Sequence, residues 1–173
     1  SPQCQAALHV LLIDLFGHED FREGQLGAII RALAGRDTAV MLPTGTGKSL
    51  IFQIAGLLRP GLTIAVDPLV SLIDDQSRGL IDQGISRVAK LHSDSLRGSD
   101  GERLLASVGR GDALFAFLTP ERLQTVKFRT QFETVAEKVL VNLAIVDEAH
   151  CVSEWGHDFR TAYLNVGRNL RKY

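Results

Sequence analysis

The residues best suited to chemistry form a glycine-rich segment, Pro43–Ser49, with the sequence Pro-Thr-Gly-Thr-Gly-Lys-Ser. Backbone N–H groups of such a turn can surround a phosphate, and the N-terminus of a following helix adds the positive end of its dipole. Lys48 is placed to reach the outer phosphates of a nucleotide, and the Ser49 hydroxyl is a ligand for Mg²⁺. The strict pattern has a further glycine where this chain has Leu42, and the alternative is a glycine-rich turn with a surface lysine. We predict a phosphate-binding loop made by Thr44, Gly45, Thr46, Gly47, Lys48 and Ser49.

Two adjacent acids, Asp147 and Glu148, directly follow the apolar run Leu143–Val146. A carboxylate at the end of a buried parallel strand faces the crevice in which such sheets bind their ligands. Asp147 is suited to holding Mg²⁺ through its water shell, and Glu148 to orienting or deprotonating the water that attacks a γ-phosphate. The alternative is that both acids cap a following helix. Together with the phosphate loop upstream, the pair predicts nucleotide hydrolysis.

Helical and extended patterns alternate along the chain and must position these residues. Apolar side chains at helical spacing predict helices that end at Gly17 and at Gly35, and the stretch Leu50–Leu58 predicts a third helix. Short apolar runs predict buried strands, with helical patterns between them. The predicted strands are Thr38–Leu42, Leu62–Val66, Arg87–Leu91, Ala113–Leu118 and Leu143–Val146, and the later predicted helices are Leu69–Gln83, Glu102–Val108 and Phe132–Lys138.

This alternation predicts the fold class. Strands separated by helices imply βαβ units and a mainly parallel sheet covered by helices on both faces. The strands are nearly continuous apolar runs, as expected when both faces of a sheet are buried. Since ligands bind at the carboxyl ends of such strands, the candidate site comprises the loops after Leu42, Val66, Leu118 and Val146.

The composition excludes several classes of protein. The chain has 173 residues, 19 basic and 20 acidic side chains and 45% apolar residues, which is typical of a soluble globular domain. No apolar stretch reaches the roughly 20 residues that a membrane-spanning helix needs. Two distant cysteines, Cys4 and Cys151, indicate a reducing compartment, so we expect a cytoplasmic protein. The net charge of −1 argues against a large basic surface for nucleic acid but permits a few placed contacts.

Five motifs follow one another in an order typical of one family. Asp147-Glu-Ala-His150 is the DEAH box of superfamily-2 helicases, and Cys151–Arg160 closely resembles the aromatic-rich loop of RecQ-type DNA helicases. Phe16–Gln25 resembles that family's adenine-recognition motif, Asp67–Gln76 its motif Ia, and Leu118–Leu123 its motif Ib region. The resemblance covers nearly the whole chain. It implies a RecA-like P-loop NTPase fold, with ATP and Mg²⁺ as cofactors and DNA as the partner.

The resemblance implies roles for individual residues at the nucleotide. Gln25 reads the adenine edge with its amide, while Arg22 and His18 pack against the base. The alternative is that Arg22 and Gln25 lie on an exposed helix start. His150 couples the nucleotide site to the nucleic-acid side, and the alternative is a structural histidine. The resemblance thus implies Lys48, Glu148 and His150 as catalytic residues, and Ser49 and Asp147 as metal ligands.

The resemblance also implies a DNA-sensing loop, Trp155–Arg160, that signals to the ATP site. An exposed Trp155 or Phe159 can stack on an unpaired base, which contributes roughly 1–3 kcal/mol per base. The alternative is that both aromatic side chains belong to the core. The full set of expected DNA-binding and coupling residues is Ser71, Thr119, Arg122, Trp155, His157, Phe159 and Arg160.

Some positions depart from the family's usual pattern. Asp67 stands where serine is common, and Glu154 where glutamine is common. Acids near the expected DNA path weaken contacts with phosphates. We therefore expect a divergent member of the family, whose ATP chemistry is better specified than its preferred nucleic acid.

The resemblance implies one half of a motor. The family has two RecA-like lobes, and residues 1–173 correspond to most of the first, up to motif III, whose strand lies between the phosphate-loop strand and the acid-pair strand. We expect the ATP-binding lobe of a DNA helicase that moves 3′→5′ on single-stranded DNA and unwinds duplexes in repair or recombination. The second lobe supplies an arginine finger, so we expect negligible activity from this piece alone. The alternatives are an ATP-gated DNA-binding switch in a multisubunit defence or restriction system, and an RNA helicase.

Overall fold

The computed structural model describes residues 2–43, 45–92, 98–151 and 157–173, and for residues 157–160 it describes the backbone alone. The chain forms two compact units, Ser1–Leu58 and Arg59–Tyr173. Each unit has its own apolar core. The expectation that residues 1–173 are one helicase lobe stays a prediction.

The first unit is helical in its described residues. Its helices are α1 (Pro2–Phe16), α2 (Gln25–Leu33) and α3 (Lys48–Leu58). Gly17 and Gly35 follow the first two helices with φ of 67° and 69°, as the sequence predicts for helix stops that need a left-handed residue. The helices pack through a shared apolar core of Leu8, Leu12, Phe16, Ala28, Ile29, Leu50, Ile51 and Ile54.

The predicted strand Thr38–Leu42 is wrong. Residues 36–43 form no regular secondary structure, and the side chain of Met41 is 94% exposed. A strand needs a neighbouring strand to satisfy its backbone hydrogen bonds. The described part of the first unit contains no other strand, so the apolar run has nothing in its own unit to pair with.

The second unit is built on a parallel sheet. Every residue of its two central strands is buried, which explains their nearly continuous apolar sequence. All three strand pairs are parallel, and the strand order is β2-β3-β1-β4. The strands are β1 (Leu62–Val66), β2 (Val88–Lys90), β3 (Phe115–Leu118) and β4 (Val141–Val146). This parallel α/β architecture confirms the predicted RecA-like fold class. The prediction that the strand before the acid pair is buried is wrong, because β4 is the last strand in this order and its residues are half-buried or exposed.

Helices of the second unit cover this sheet and supply its core. They are α4 (Val70–Asp82), α5 (Gly98–Gly109), a 3₁₀ turn (Arg122–Gln124), α6 (Val126–Ala136) and α7 (His157–Leu170). α5 and α6 begin earlier than predicted, and α7 was not predicted. α7 buries Ala162, Tyr163 and Val166, a spacing that matches one helical face. None of the helices within the described ranges is long and apolar enough to cross a membrane.

Three neighbouring strands end level with one another. Val66 of β1 pairs with Leu118 of β3 and with Val146 of β4. The next residues, Thr119, Asp67 and Asp147, therefore follow adjacent strand ends at the same edge of the sheet. The loops after these three strands share one edge, as the sequence predicts.

Candidate nucleotide-binding site

The glycine-rich loop of the first unit makes a tight turn directly before a helix. Gly45 and Gly47 have φ of 77° and 80°, a region that glycine adopts without steric cost. The Thr46 hydroxyl donates to the carbonyl oxygen of Pro43 at 2.6 Å and closes the turn. α3 begins at Lys48, so its first N–H groups follow the loop immediately. This local geometry matches the loop-to-helix part of the predicted phosphate site.

Gln25 supports this loop from within the unit. It is only 2% exposed and begins α2. Its Nε2 donates to the carbonyl oxygens of Thr46 at 2.9 Å and Gly47 at 3.0 Å, while its Oε1 accepts the N–H of Arg22 at 2.8 Å. A Cβ atom at Gly47 would lie 2.9 Å from that Nε2, so a side chain at this position would displace the Gln25 amide. The alternative of an exposed Gln25 is wrong.

Arg22 provides a second, solvent-exposed contact with the loop. Its Nη1 donates to the carbonyl oxygen of Gly45 at 2.6 Å. His18 is also exposed, in the segment between α1 and α2. Both N–H donors of the Gln25 amide are used by the loop, since a primary amide has two. The predicted contacts of Gln25, Arg22 and His18 with adenine stay predictions.

The acid pair of the second unit is fixed at the end of β4. The Asp147 N–H donates to the carbonyl oxygen of Val66 at 2.9 Å, which extends the β1–β4 ladder by one residue. The Oδ1 of Asp147 accepts the N–H of Glu148 at 2.8 Å. From α7, the Tyr163 hydroxyl donates to the Asp147 carbonyl oxygen at 2.9 Å. The backbone and carboxylate of Asp147 are therefore both restrained.

Glu148 has an unusual backbone conformation. Its φ is 47°, and among the described residues it is the one non-glycine residue with positive φ. Left-handed backbone is uncommon for a side chain of this kind and marks strain that clusters at functional sites. Its Oε2 lies 3.0 Å from Nδ1 of His150, and its side chain is 25% exposed. The structure thus joins two residues that the sequence analysis assigned to catalysis.

A third carboxylate, Asp67, follows the neighbouring strand and is only 1% exposed. Gln76 bridges it to the acid pair, since Nε2 donates to Oδ2 of Asp67 at 3.0 Å and to Oδ2 of Asp147 at 3.1 Å. Burial raises the pKa of Asp67 to about 7. The hydrogen bond from the Leu69 N–H opposes this rise in pKa, and the negative charges of Asp147 and Glu148 add to it.

Sequence reasoning missed Gln76 and Tyr163. Gln76 lies three residues after Ile73 and four before Leu80, which are both buried on the inward side of α4. A glutamine on such a stripe needs a polar partner, and this was the available signal. Tyr163 lies beyond the last recognised motif, and burial raises the pKa of its hydroxyl.

The expected DNA-binding residues in the described ranges differ in exposure. Ser71 is exposed in the first turn of α4, whereas Thr119 is only 8% exposed. Arg122 is half-buried, and its guanidinium carbon lies 4.9 Å from the ring centroid of Phe128. Burial also lowers the pKa of Arg122. Their contacts with DNA stay predictions.

Two expected site residues, Trp155 and Thr44, lie outside the described residues. His157, Phe159 and Arg160 belong to the first turn of α7, so the expectation that they lie in a loop is wrong. The side chains of these three residues also lie outside the description.

The oxygen ligands of the site suit a hard cation. Proteins usually hold Mg²⁺ through one or two carboxylates together with substrate phosphates. The Asp147 carboxylate of the second unit and the Ser49 hydroxyl of the first each carry an oxygen of this kind, and their predicted binding of Mg²⁺ stays a prediction. In the described part of the chain, no group of three or more His, Cys, Asp or Glu side chains is arranged to hold a metal ion.

Comparison with known proteins decides the family. A family model described as DEAD/DEAH box helicase matches residues 22–173. The chain belongs to the DEAD/DEAH box helicases. The match includes Gln25, the phosphate loop and the acid pair of this helicase domain.

The relatives of this helicase domain include RecQ-type proteins. It is 42% identical to ATP-dependent DNA helicase Q-like 5 of Arabidopsis thaliana, over 92% of this chain and 17% of the relative. It is 40% identical to the probable ATP-dependent DNA helicase RecS of Bacillus subtilis, over 95% of this chain and 32% of the relative. It is 41% identical to ATP-dependent DNA helicase RecQ of the same organism, over 90% of this chain and 26% of the relative. The resemblance to RecQ-type helicases is confirmed, and the chain spans a third or less of the length of these relatives.

Proposed function

We propose that this chain is the ATP-binding lobe of an ATP-dependent DNA helicase that couples ATP hydrolysis to 3′→5′ movement on single-stranded DNA and to unwinding. The observation that carries the proposal is the acid pair at the carboxyl end of β4, restrained on both backbone and carboxylate. The names of the relatives, all ATP-dependent DNA helicases, support it. A cytoplasmic role in DNA repair or recombination fits the same family.

The proposed chemistry divides between the two motifs. Lys48 neutralises the outer phosphates, and the loop N–H groups orient them. Ser49 and Asp147 would hold Mg²⁺, which would supply neutralisation of phosphate charge when it is bound. Glu148 orients the attacking water and accepts its proton, and His150 holds the Glu148 carboxylate at 3.0 Å.

At the base, we propose that Gln25 and Arg22 link adenine recognition to the loop that holds the phosphates. Gln25 already bonds two loop carbonyl groups and Arg22 a third. Reading the adenine edge then requires Gln25 to exchange one of these bonds for a bond to the base, because its two donors are both used. His18 is exposed and packs against the base in this proposal.

On the DNA side, Ser71, Thr119 and Arg122 track the phosphate backbone while Trp155 and Phe159 stack on unpaired bases. His157 and Arg160 belong to the same segment and couple it to the ATP site. A few such contacts suffice at a net charge of −1, because phosphate contacts position a protein through hydroxyl, amide and guanidinium donors. The relatives are at least three times as long as their matched part, which supports a second lobe that completes the motor. That lobe supplies an arginine finger, a group that contributes about 10³–10⁵ in rate in related hydrolases.

The proposal is tested by ATPase assays of the intact protein with single-stranded DNA, duplex DNA and RNA. We expect single-stranded DNA to stimulate turnover most strongly, and Lys48→Ala to abolish it. Lys127→Ala, which changes an exposed lysine on α6, is the matched control and should retain the full rate. Stimulation by RNA alone would contradict the choice of substrate, and DNA binding without strand separation would favour the ATP-gated switch.

The sensor assignment has its own test. Trp155→Ala should lose stimulation by DNA while the affinity for ATP is unchanged, because stacking on a base and binding of phosphates use different residues. If DNA stimulates this variant as strongly as the wild type, Trp155 is not the sensor.

A further inference from the structure

We propose that Gln76 and Asp67 are positioning residues that hold the Asp147 carboxylate in its cation-binding orientation. The inference rests on the proposed function, because it takes Asp147 as a ligand of Mg²⁺. Its basis is a hydrogen-bonded chain that connects three structural elements at the edge of the sheet: α4, the end of β1 and the end of β4.

The bridge is made by a single amide nitrogen. Nε2 of Gln76 lies 3.0 Å from Oδ2 of Asp67 and 3.1 Å from Oδ2 of Asp147. A carboxylate oxygen that carries no proton only accepts hydrogen bonds, and the amide nitrogen of Gln76, with its two N–H donors, faces Oδ2 of both aspartates. The amide oxygen of Gln76 is buried without a hydrogen-bond partner among the described residues, so the side-chain hydrogen bonds of Gln76 are the two that its nitrogen donates.

Asp67 in turn holds Gln76 in place. Its N–H donates to the carbonyl oxygen of Leu118 at 3.0 Å, and its Oδ1 accepts the N–H of Leu69 at 3.2 Å. These bonds fix the carboxylate between β3 and the start of α4. The remaining oxygen, Oδ2, is therefore a rigid anchor for the Gln76 amide, 71 positions before Asp147 in the chain.

The two oxygens of Asp147 are thereby oriented by different donors. Oδ1 accepts the N–H of Glu148 at 2.8 Å, and Oδ2 accepts Nε2 of Gln76. Each carboxylate oxygen has a second lone pair, which stays available for a cation or for its bound water. Hydrogen bonds to ligating side chains orient them, and their loss typically lowers metal affinity by about 10–100-fold.

The Asp67 carboxylate makes two contacts at once, since Oδ1 accepts the Leu69 N–H and Oδ2 accepts Nε2 of Gln76. Through Gln76, Asp67 is connected to Asp147.

The test measures the Mg²⁺ dependence of ATP binding in the intact protein. Thermal stabilisation by saturating ATP is followed as Mg²⁺ is raised, and ATP affinity is measured separately in EDTA. We expect Gln76→Ala to raise the Mg²⁺ midpoint by about 10–100-fold and to leave the affinity for ATP in EDTA unchanged. Asp67→Asn should shift the midpoint in the same direction but by less. The new amide can still accept the Leu69 N–H, but it places an N–H donor against the N–H donor of Gln76.

Gln83→Ala is the matched control. It removes another glutamine at the end of α4, whose side-chain oxygen is buried without a partner, and should leave the midpoint unchanged. An unchanged midpoint in Gln76→Ala, or an equal shift in Gln83→Ala, would overturn the inference. These outcomes can be distinguished from failure of the proposed function. If the proposed function is wrong, the wild-type protein itself shows no Mg²⁺-dependent binding of ATP.

Discussion

The two units hold their functional residues by different means. In the first unit, the phosphate loop depends on side chains, with Gln25 and Arg22 bonding its carbonyl groups. In the second unit, the acid pair depends on the backbone of a parallel sheet, where the β1–β4 ladder continues to Asp147. The loop is held by a few replaceable contacts, whereas the position of the acid pair is determined by the fold.

This difference predicts where single substitutions act. A side chain that supports a loop can be removed without unfolding the core, so its loss should appear in ligand affinity. Asp147, directly after β4, is held by the backbone ladder of the sheet. Its substitution should therefore change chemistry or pH dependence more than position.

The largest effect is expected at Gln25. Gln25→Ala removes three hydrogen bonds, each contributing about 1 kcal/mol, and leaves the Thr46 and Gly47 carbonyl groups without their donor. If most of this free energy stabilises the loop conformation that binds ATP, the affinity for ATP should drop by about 100-fold, since 1.4 kcal/mol corresponds to a factor of ten. Titration calorimetry of the intact protein measures this drop.

Gln25→Glu refines the same comparison. It keeps the shape and the oxygen that accepts the Arg22 N–H, but it presents a carboxylate to two carbonyl oxygens. It should bind ATP at least as weakly as Gln25→Ala. Affinity at the wild-type level in the glutamate variant would show that the loop does not depend on the two donated bonds.

The sequence predicted the second unit better than the first. β1 follows its predicted bounds, because a parallel strand buried on both faces has a distinctive apolar run. The site loops after Val66, Leu118 and Val146 share one edge, as the sequence predicted. Thr38–Leu42 has a similar apolar run but forms no strand. A run becomes a strand only where another strand lies beside it to share its backbone hydrogen bonds. The hydrogen-bond partners of Gln25 and Gln76 could not be predicted from the sequence for the same reason. An amide's partners are set by tertiary contacts that are far apart in sequence.

A second prediction concerns pH and tests the acid-pair unit. The folded pKa of Asp67 is about 7, above its ordinary value of 3.8, so the folded state binds this proton more tightly than the unfolded state. The associated stability is present at acid pH and is lost as pH rises through about 7, with a slope of at most about 1.4 kcal/mol per pH unit. Chemical denaturation without divalent cations, between about pH 5 and about pH 8, should show this decline.

Asp67→Asn removes the titrating group, so its stability should change less over that range. A variant with the same pH slope as the wild type would show that another group is responsible. Asp74→Asn is a suitable control, because the pKa of Asp74 is lowered, chiefly by its hydrogen bond with Lys90. Its substitution should not reduce the decline between about pH 5 and about pH 7.

The smallest effect on stability is expected at Glu148, because here a residue with a Cβ atom has the left-handed backbone that glycines have in the phosphate loop. In the loop, the positive φ values of 77° and 80° belong to glycines, whereas after β4 a φ of 47° belongs to a glutamate. Glu148→Gly and Glu148→Ala both remove the carboxylate and its contact with His150, so their difference isolates the backbone. Left-handed backbone costs a residue with a Cβ atom roughly 1–2 kcal/mol, so the glycine variant should be the more stable by about that amount. Equal free energies of unfolding in the two variants would contradict a left-handed backbone at this position. The expected difference in stability, together with loss of turnover in both variants, would mean that the chain keeps a strained residue here because it needs the carboxylate.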